Sequence, residues 1–398
     1  MCPYNFFRSG GVQSHIEFLS NELRNRGHEV KVIAPGVEGI KNNRDDVILL
    51  GSSLKVSINR TQGELSVAGR NLNGFIEEML EREKFDILHF HEPEMPILPI
   101  QVLLKSNSIN IATFHAALPK TIVGKSIEMA SMAFIESIVD RLDGIIAVSE
   151  VPAKRLSKMY KGRINIIPNG IDLRVFNTKN RPFEEYLDGK VNILFLGRLD
   201  KRKGVIYLVK AFRKLQKEFG NVRLIIAGKG DESKKLESYV KKHKLDNIKL
   251  LGFVKEEDKP RLYASCDIFC SPALYGESLG IVLLEAMATG KSVVAYANPG
   301  YKTVLKNRGS LFLVKPKNIK GLKEKLLVLS KDRELRNFMG RWGIGEVKNY
   351  SWTKVTNEII SLYSKSLNSK RGMEGNVEQK QSNLKRLVFR LKKIFNNV

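Results

Sequence analysis

Short runs rich in Val and Ile recur along this chain, each followed by a longer segment whose apolar positions fall every three to four residues. Residues 29–34, 87–90, 109–113 and 144–148 read as buried parallel strands. Between Val12 and Gly27 the apolar Val12, Ile16, Leu19 and Leu23 keep helical spacing, and Gly27 supplies the stop. The alternation restarts at residues 191–196 and continues through 222–227, 248–251, 267–270 and 292–295. Strand, helix, strand in two blocks predicts an α/β chain of two Rossmann-like, doubly wound domains facing a shared cleft. A length of 398 residues fits two to three domains at about 150 residues each. The expected division is residues 1–172, residues 173–345, a helix at 346–365 returning toward the first domain, and a tail at 366–398. The polar stretch 177–189 is the expected linker.

A sheet of this kind places its first strand centrally, just before the glycine turn Gly10-Gly11, yet few residues precede that turn. The first strand of the N-terminal domain is therefore expected to be missing, which costs its neighbours about 1–3 kcal/mol per buried unsatisfied group. A start codon assigned too late, or a fragment, would explain this.

Composition narrows the class. Hydrophobic residues at 42%, charged residues at 27% and only 13 Pro exclude a disordered or collagen-like chain. No apolar run approaches the roughly 18 residues of a membrane span, and Met1-Cys2-Pro3-Tyr4 lacks the features of a signal peptide. Cys2, Cys266 and Cys270 are too few and too scattered for a disulfide scaffold or a four-cysteine zinc site, so a reducing cytoplasm is expected. The net charge of +25 favours polyanionic surroundings, although a lysine-rich surface coat gives the same number. With no basic-aromatic nucleic-acid motif, no nucleic acid is expected, and an anionic membrane or a phosphorylated ligand leads. Residues 366–382 read as a flexible linker. Residues 383–398 then place Leu384, Leu387, Val388, Leu391, Ile394 and Phe395 on one helical face and five Lys or Arg on the other. That pattern predicts an amphipathic helix on an anionic membrane, with docking on the protein itself as the alternative.

Three stretches carry chemistry. Arg8-Ser9-Gly10-Gly11-Val12 opens a helix, and its glycines let a phosphate approach backbone N–H groups at the positive end of the helix dipole. Gly197-Arg198-Leu199-Asp200-Lys201-Arg202-Lys203-Gly204 follows the first strand of the second block, where such sheets bind ligands; Arg198 and Lys203 can clamp a diphosphate. In Gly276-Glu277-Ser278-Leu279-Gly280, Glu277 is expected just before an otherwise apolar helix that starts at Ser278 and contains Glu285. Backbone N–H groups of Leu279 and Gly280 can face phosphate oxygens, and a buried Glu285 needs partners such as sugar or ribose hydroxyls. A simple N-terminal charge cap accounts for Glu277 but not for Glu285.

The spacing Glu277-x7-Glu285, together with Gly-Arg-Leu-x3-Lys-Gly at 197–204, resembles the retaining nucleotide-sugar glycosyltransferases of family 4. Within them it is most similar to the phosphatidyl-myo-inositol mannosyltransferases. Further matching stretches are Cys2-Pro3-Tyr4, Gly10-Gly11-Val12-Gln13-Ser14-His15, His89-Phe90-His91-Glu92-Pro93, Ala112-Thr113-Phe114-His115 and Ile167-Pro168-Asn169-Gly170-Ile171-Asp172. The resemblance implies the GT-B architecture, with the donor held mainly by the second domain and the acceptor by the first. It implies diphosphate binding by Arg198 and Lys203, with Gly10 and Gly11 on the other side. Sugar hydroxyls would fall to Glu277, with Ser278, Leu279 and Gly280 around the donor, the ribose to Glu285, and a place beside the reacting sugar to His115. Gly228 and Gly230 would line the base and ribose. Tyr4, Gln13, Asn59 and Lys120 match acceptor positions, although Ile58-Asn59-Arg60-Thr61 and Leu279 depart from the relatives' pattern.

His89-x-His91-Glu92 imitates a metal-ligand spacing, but no third ligand is evident in the sequence, so no metal is expected. Gly228-x-Gly230 lacks the third glycine of a dinucleotide fingerprint. The expectation is an enzyme needing no cofactor beyond a GDP-mannose or UDP-glucose type donor, moving a hexose to a lipid-linked acceptor at the cytoplasmic membrane face. The alternatives are a soluble transferase of polysaccharide or small-glycoside synthesis, and a degenerate binding protein.

Overall fold

The computed structural model describes residues 1–8, 10–36, 42–58, 61–67, 72–95, 98–115, 135–136 and 138–371. Asn59, Lys120 and residues 383–398, expected as an amphipathic helix, lie outside the described residues. The chain forms two compact units. The first comprises Met1–Val148, Pro152–Ile167 and the chain from Thr356, the second Ser149–Val151 and Pro168–Val355. The polar stretch 177–189, read from sequence as the linker, lies wholly inside the second unit.

In the first unit the order is α1 (Gly11–Arg24), β1 (Val32–Pro35), β2 (Val47–Leu50), a hairpin of β3 (Ser52–Ile58) and β4 (Thr61–Val67), then α2 (Leu72–Glu83) and β5 (Ile87–His91). There follow α3 (Leu98–Lys105), β6 (Ile109–Phe114), β7 (Gly144–Ala147), α4 (Glu150–Leu156, in this unit from Pro152) and β8 (Ile164–Ile166). Helix α1 buries Ile16, Leu19 and Leu23, as their spacing requires. Gly27 ends the segment at φ 85°, its N–H donating to the Arg24 carbonyl.

Strands β1 and β2 pair in parallel, as do β5, β6, β7 and β8 in that order. Between the two groups lie Met1 and Cys2. The Cys2 N–H donates to the Ile33 carbonyl at 2.8 Å, the Met1 ammonium to the His89 carbonyl at 2.7 Å, and the His91 N–H to the Met1 carbonyl at 3.1 Å. Two residues thus take the place of the central strand and give backbone partners to Ile33, His89 and His91, the neighbours expected to lose them. The antiparallel β3–β4 hairpin has no counterpart in the sequence reading.

The second unit runs β9 (Val191–Leu196), α5 (Val205–Glu218), β10 (Val222–Ala227), α6 (Ser233–Lys242), β11 (Ile248–Gly252), α7 (Lys259–Ala264) and β12 (Ile268–Ser271). It continues with α8 (Ile281–Ala288), β13 (Ser292–Tyr296), α9 (Pro299–Val304), β14 (Leu313–Val314), α10 (Ile319–Lys331) and α11 (Arg333–Val347). The last helix, α12 (Trp352–Arg371), begins in this unit and from Thr356 belongs to the first.

The six strands stand in the order β11-β10-β9-β12-β13-β14, and every pair is parallel. Alternation along β9 sends Ile193 and Phe195 into one core, with Leu208 and Phe212 of α5, and Leu194 and Leu196 into the other, with Leu283 and Met287 of α8. Helices on both faces explain why these strands read as continuous apolar runs. From β9 the chain winds outward to β10 and β11, then returns to β12 on the other side of β9. The loops after β9 and β12 therefore leave neighbouring strands at the point where strand order reverses, where open α/β sheets bind their ligands.

Candidate active site

In the second unit the loop after β9 is a short turn, Lys201–Lys203, capped by Asp200, whose carboxylate accepts the Lys203 N–H at 2.9 Å. The cap fixes the direction of Lys203, and Lys203 Nζ donates to Glu277 Oε1 at 2.8 Å. Arg202 Nη1 donates to the same oxygen at 2.6 Å and to the Gly276 carbonyl at 3.2 Å. Glu277 is 11% exposed and Lys203 13%, so water screens this pair poorly. Arg198 is exposed, and the side chain that joins Lys203 on Glu277 is Arg202.

Helix α8 begins only at Ile281, three residues later than a start at Ser278, with Gly280 as its cap at φ 93°. A side chain there meets both a left-handed backbone and the Tyr301 ring, 2.5 Å from where a Cβ would stand. Leu279 is buried in the core, which leaves its backbone, not its side chain, for any ligand. Glu285 is 8% exposed within the helix. Its partner is a protein group that the sequence did not reveal: the Tyr263 hydroxyl, donating to Oε2 at 2.6 Å. Desolvation raises the Glu285 carboxyl above its usual range, against the pull of Lys259 and of the Tyr263 hydrogen bond.

Gly228 and Gly230 have a packing reason to be glycine. A Cβ on Gly228, at φ 142°, would stand 1.9 Å from the Gly197 carbonyl oxygen, and one on Gly230 would stand 2.4 Å from that of Leu199. The two loops are stitched by Gly197 N–H to Ala227 O at 3.0 Å and Leu199 N–H to Lys229 O at 3.0 Å. Together with Ser233 and Gly252, these glycines line a cavity of about 360 Å³.

In the first unit the chemistry gathers at the start of α1 and the carboxyl ends of β5 and β6. Gly10 caps α1 in an extended conformation, and Gln13 Nε2 donates to the Asn5 carbonyl at 3.2 Å. His15, His91 and His115 are all buried, with ring nitrogens within 4.8 Å of one another. The sequence left the His-x-His-Glu stretch without a clear third ligand; the structure groups His91 with His15 of α1 and His115 just after β6, while His89 stacks on His91. His91 Nδ1 lies 3.0 Å from His115 Nε2. Desolvation, reinforced by neighbouring imidazoles, holds His91 well below the usual histidine range, so it is neutral at physiological pH. Glu92, at φ 49°, accepts the His115 backbone N–H on Oε1 at 2.5 Å. Glu94 pairs with Arg155 at 3.5 Å, and burial raises its carboxyl. Tyr4 is pushed well above the usual phenol range, by burial first and then by Glu92 and Glu94.

Of the residues missed by sequence, Arg202 and Asp200 had a signal, as part of a capped basic turn beside Lys203. His15 and His91 had only their place in matching stretches. Tyr263 had none.

Two doubly wound α/β units, the second with paired cations and a carboxylate at its switch point, define a GT-B glycosyltransferase. Residues 9–175 match the family model described as Glycosyltransferase Family 4, and residues 177–344 match that of Glycosyl transferases group 1. The chain is 32% identical over 368 residues, 91% of its length and 92% of the relative's, to the phosphatidyl-myo-inositol mannosyltransferase of Mycolicibacterium smegmatis. It is 26% identical over 391 residues, 92% of its length and 97% of the relative's, to spore coat protein SA of Bacillus subtilis. Among solved structures, sucrose-phosphate synthase from Thermosynechococcus elongatus covers 91% of this chain with a TM-score of 0.71, 20% identity and 94% of its own length. Anabaena Alr3699/HepE in complex with UDP and glucose covers 91% of this chain, with 98% of its own length, a TM-score of 0.71 and 16% identity. The chain belongs to glycosyltransferase family 4. It is a nucleotide-sugar-dependent glycosyltransferase.

Proposed function

We propose that this enzyme moves a hexose of the mannose or glucose type from a GDP- or UDP-linked donor to a lipid-linked acceptor, such as a phosphatidylinositol-like glycolipid, with retention of the anomeric configuration. The observation that carries this reading is the match, over 91% of the chain, to a relative named for transfer of mannose to phosphatidyl-myo-inositol. The second unit holds the donor. Lys203 and Arg198 meet the diphosphate, where negative charge grows as the glycosidic bond breaks, and preplaced cations stabilise that charge. Glu277, held between Lys203 and Arg202, takes hydroxyls of the transferred sugar. Glu285 takes the ribose, the backbone of Ser278, Leu279 and Gly280 faces the donor, and Gly228 and Gly230 line the nucleoside.

The first unit holds the acceptor through Tyr4, Gln13, Asn59 and Lys120; it presents His115 to the reacting sugar and Gly10 and Gly11 to the diphosphate. The net charge of +25 and the basic, amphipathic sequence of residues 383–398 favour work at an anionic membrane surface, on the cytoplasmic side where nucleotide sugars are made. Among the described residues no helix is long and apolar enough to cross a membrane.

The test incubates the purified protein with a panel of GDP- and UDP-sugars and host lipid extract, with product mass as readout. A glycolipid one hexose heavier than its precursor is the expected product. Transfer only to water-soluble sugars would replace the lipid acceptor with a polysaccharide or small-glycoside one.

A further inference from the structure

The first unit buries a row of imidazoles, of which the reading above uses only His115. His89 and His91 leave β5 on the same face, and their rings stack with centroids 4.4 Å apart and planes 20° apart. His89 is fixed at both nitrogens: Nδ1 lies 2.6 Å from the Tyr363 hydroxyl, and Nε2 lies 2.7 Å from Thr113 Oγ1. It forms a rigid plate under His91. His91 in turn meets His115 through the 3.0 Å contact of Nδ1 with Nε2, the two rings 24° from parallel. From α1, His15 closes the group edge-on, 5.2 Å from the His91 centroid and 4.7 Å from that of His115.

Two neutral imidazoles at hydrogen-bond distance share one proton along the contact, so one nitrogen donates and the other accepts. The contact therefore exists only while the two tautomers are complementary. Whichever state His91 Nδ1 takes, His115 Nδ1 takes the state that follows from it. We propose that His91 is a positioning residue for sugar transfer: its Nδ1 fixes the ring and the tautomer of His115, so that His115 Nδ1 meets the substrate in a single hydrogen-bonding state. This rests on the reading of His115 as the group beside the reacting sugar. Burial supports it: His91 is 2% exposed, and desolvation first, with the neighbouring imidazoles and the N-terminal ammonium adding to it, holds it well below the usual histidine range.

The experiment uses the full chain labelled with ¹⁵N-histidine, which contains six histidines. His91→Leu fills the stack without a polar atom, whereas His91→Asn returns one near the Nδ1 position. His91→Gln reaches only the Nε2 position and serves where His91→Leu does not fold. Wild type should show His115 as one neutral tautomer in long-range ¹⁵N–¹H spectra. His91→Leu and His91→Gln should average the two tautomers and lower kcat about 10–100-fold, with donor KM within about twofold of wild type. His91→Asn should restore the single tautomer and most of kcat.

An unchanged His115 tautomer in His91→Leu and His91→Gln overturns the proposal, and so does an Asn variant as impaired as Leu at equal melting temperature. One equivalent of a tightly held transition metal in wild type, lost in the variants, overturns it as well, because the 3.0 Å contact would then be an edge of a metal site. Absence of sugar transfer with every donor defeats the reading of the enzyme, while the tautomer spectra still decide the coupling of His91 to His115.

Discussion

Replacing Tyr263 with Phe deletes one oxygen from a side chain that is 0% exposed. The ring stays, so no cavity opens. What is lost is the hydrogen bond to Glu285 Oε2 at 2.6 Å. A buried hydrogen bond to a charged group contributes about 1.5–3 kcal/mol. In a unit of roughly 150–250 residues each kcal/mol moves the melting temperature by about 2–4 °C, so the second unit should melt roughly 3–12 °C lower. The loss should depend on pH. Desolvation holds the folded Glu285 carboxyl above its unfolded value, so the folded state binds more protons between the two. Stability from this group is complete below the unfolded carboxyl value, about 4.3, and is lost as pH rises through the folded one. Because the Tyr263 hydroxyl favours the ionised carboxylate, its removal should cost more at pH 8 than near pH 5.

Calorimetry of Tyr263→Phe at both pH values, alone and combined with Glu285→Gln, measures this. In the Glu285→Gln background only a neutral hydrogen bond of about 0.5–1.5 kcal/mol remains to be lost. Equal costs in both backgrounds, or equal costs at both pH values, would refute the assignment of Tyr263 as the partner that keeps Glu285 tolerable in an apolar helix.

Arg198→Ala and Lys203→Ala should each lower turnover about 10²-fold or more with the fold intact by circular dichroism, and near-wild-type turnover would remove either from the diphosphate site. Glu277→Gln should impair sugar transfer, whereas Glu285→Gln should mainly weaken nucleotide binding; titration with free UDP and GDP separates them. Gly228→Ala puts a Cβ 1.9 Å from the Gly197 carbonyl oxygen and should destabilise the second unit by about 1–3 kcal/mol through overpacking, seen as a lower melting temperature, with an unchanged melting curve as the contrary result. Deleting residues 372–398, which leaves α12 whole, should release the enzyme from anionic vesicles while the melting curve stays put. If both proteins pellet equally, the tail is not the anchor.

Residues 191–196, 222–227 and 292–295 formed strands because their apolar side chains need cover on both faces, a requirement written in each run itself. Helix α1 and its stop at Gly27 were equally local, set by a period of 3.6 and one left-handed residue. The same holds for Lys203 and Glu277 as members of one site, since both follow strands of a doubly wound sheet and loops after such strands converge.

Only tertiary structure decided the rest. That Arg202 joins Lys203 on Glu277 depends on the capped turn at Asp200. That Tyr263 answers Glu285 depends on α7 packing against α8, 22 residues apart in sequence. The imidazole row required β5, β6, α1 and α12 to be brought together, and no spacing along the chain encodes the distance between Nδ1 of His91 and Nε2 of His115. Local sequence carries periodicity and turn chemistry, which act within a few residues. Contacts between side chains far apart in the chain come only from the packing of whole elements, and it is there that the choice among chemically equivalent cations, hydroxyls and imidazoles is made.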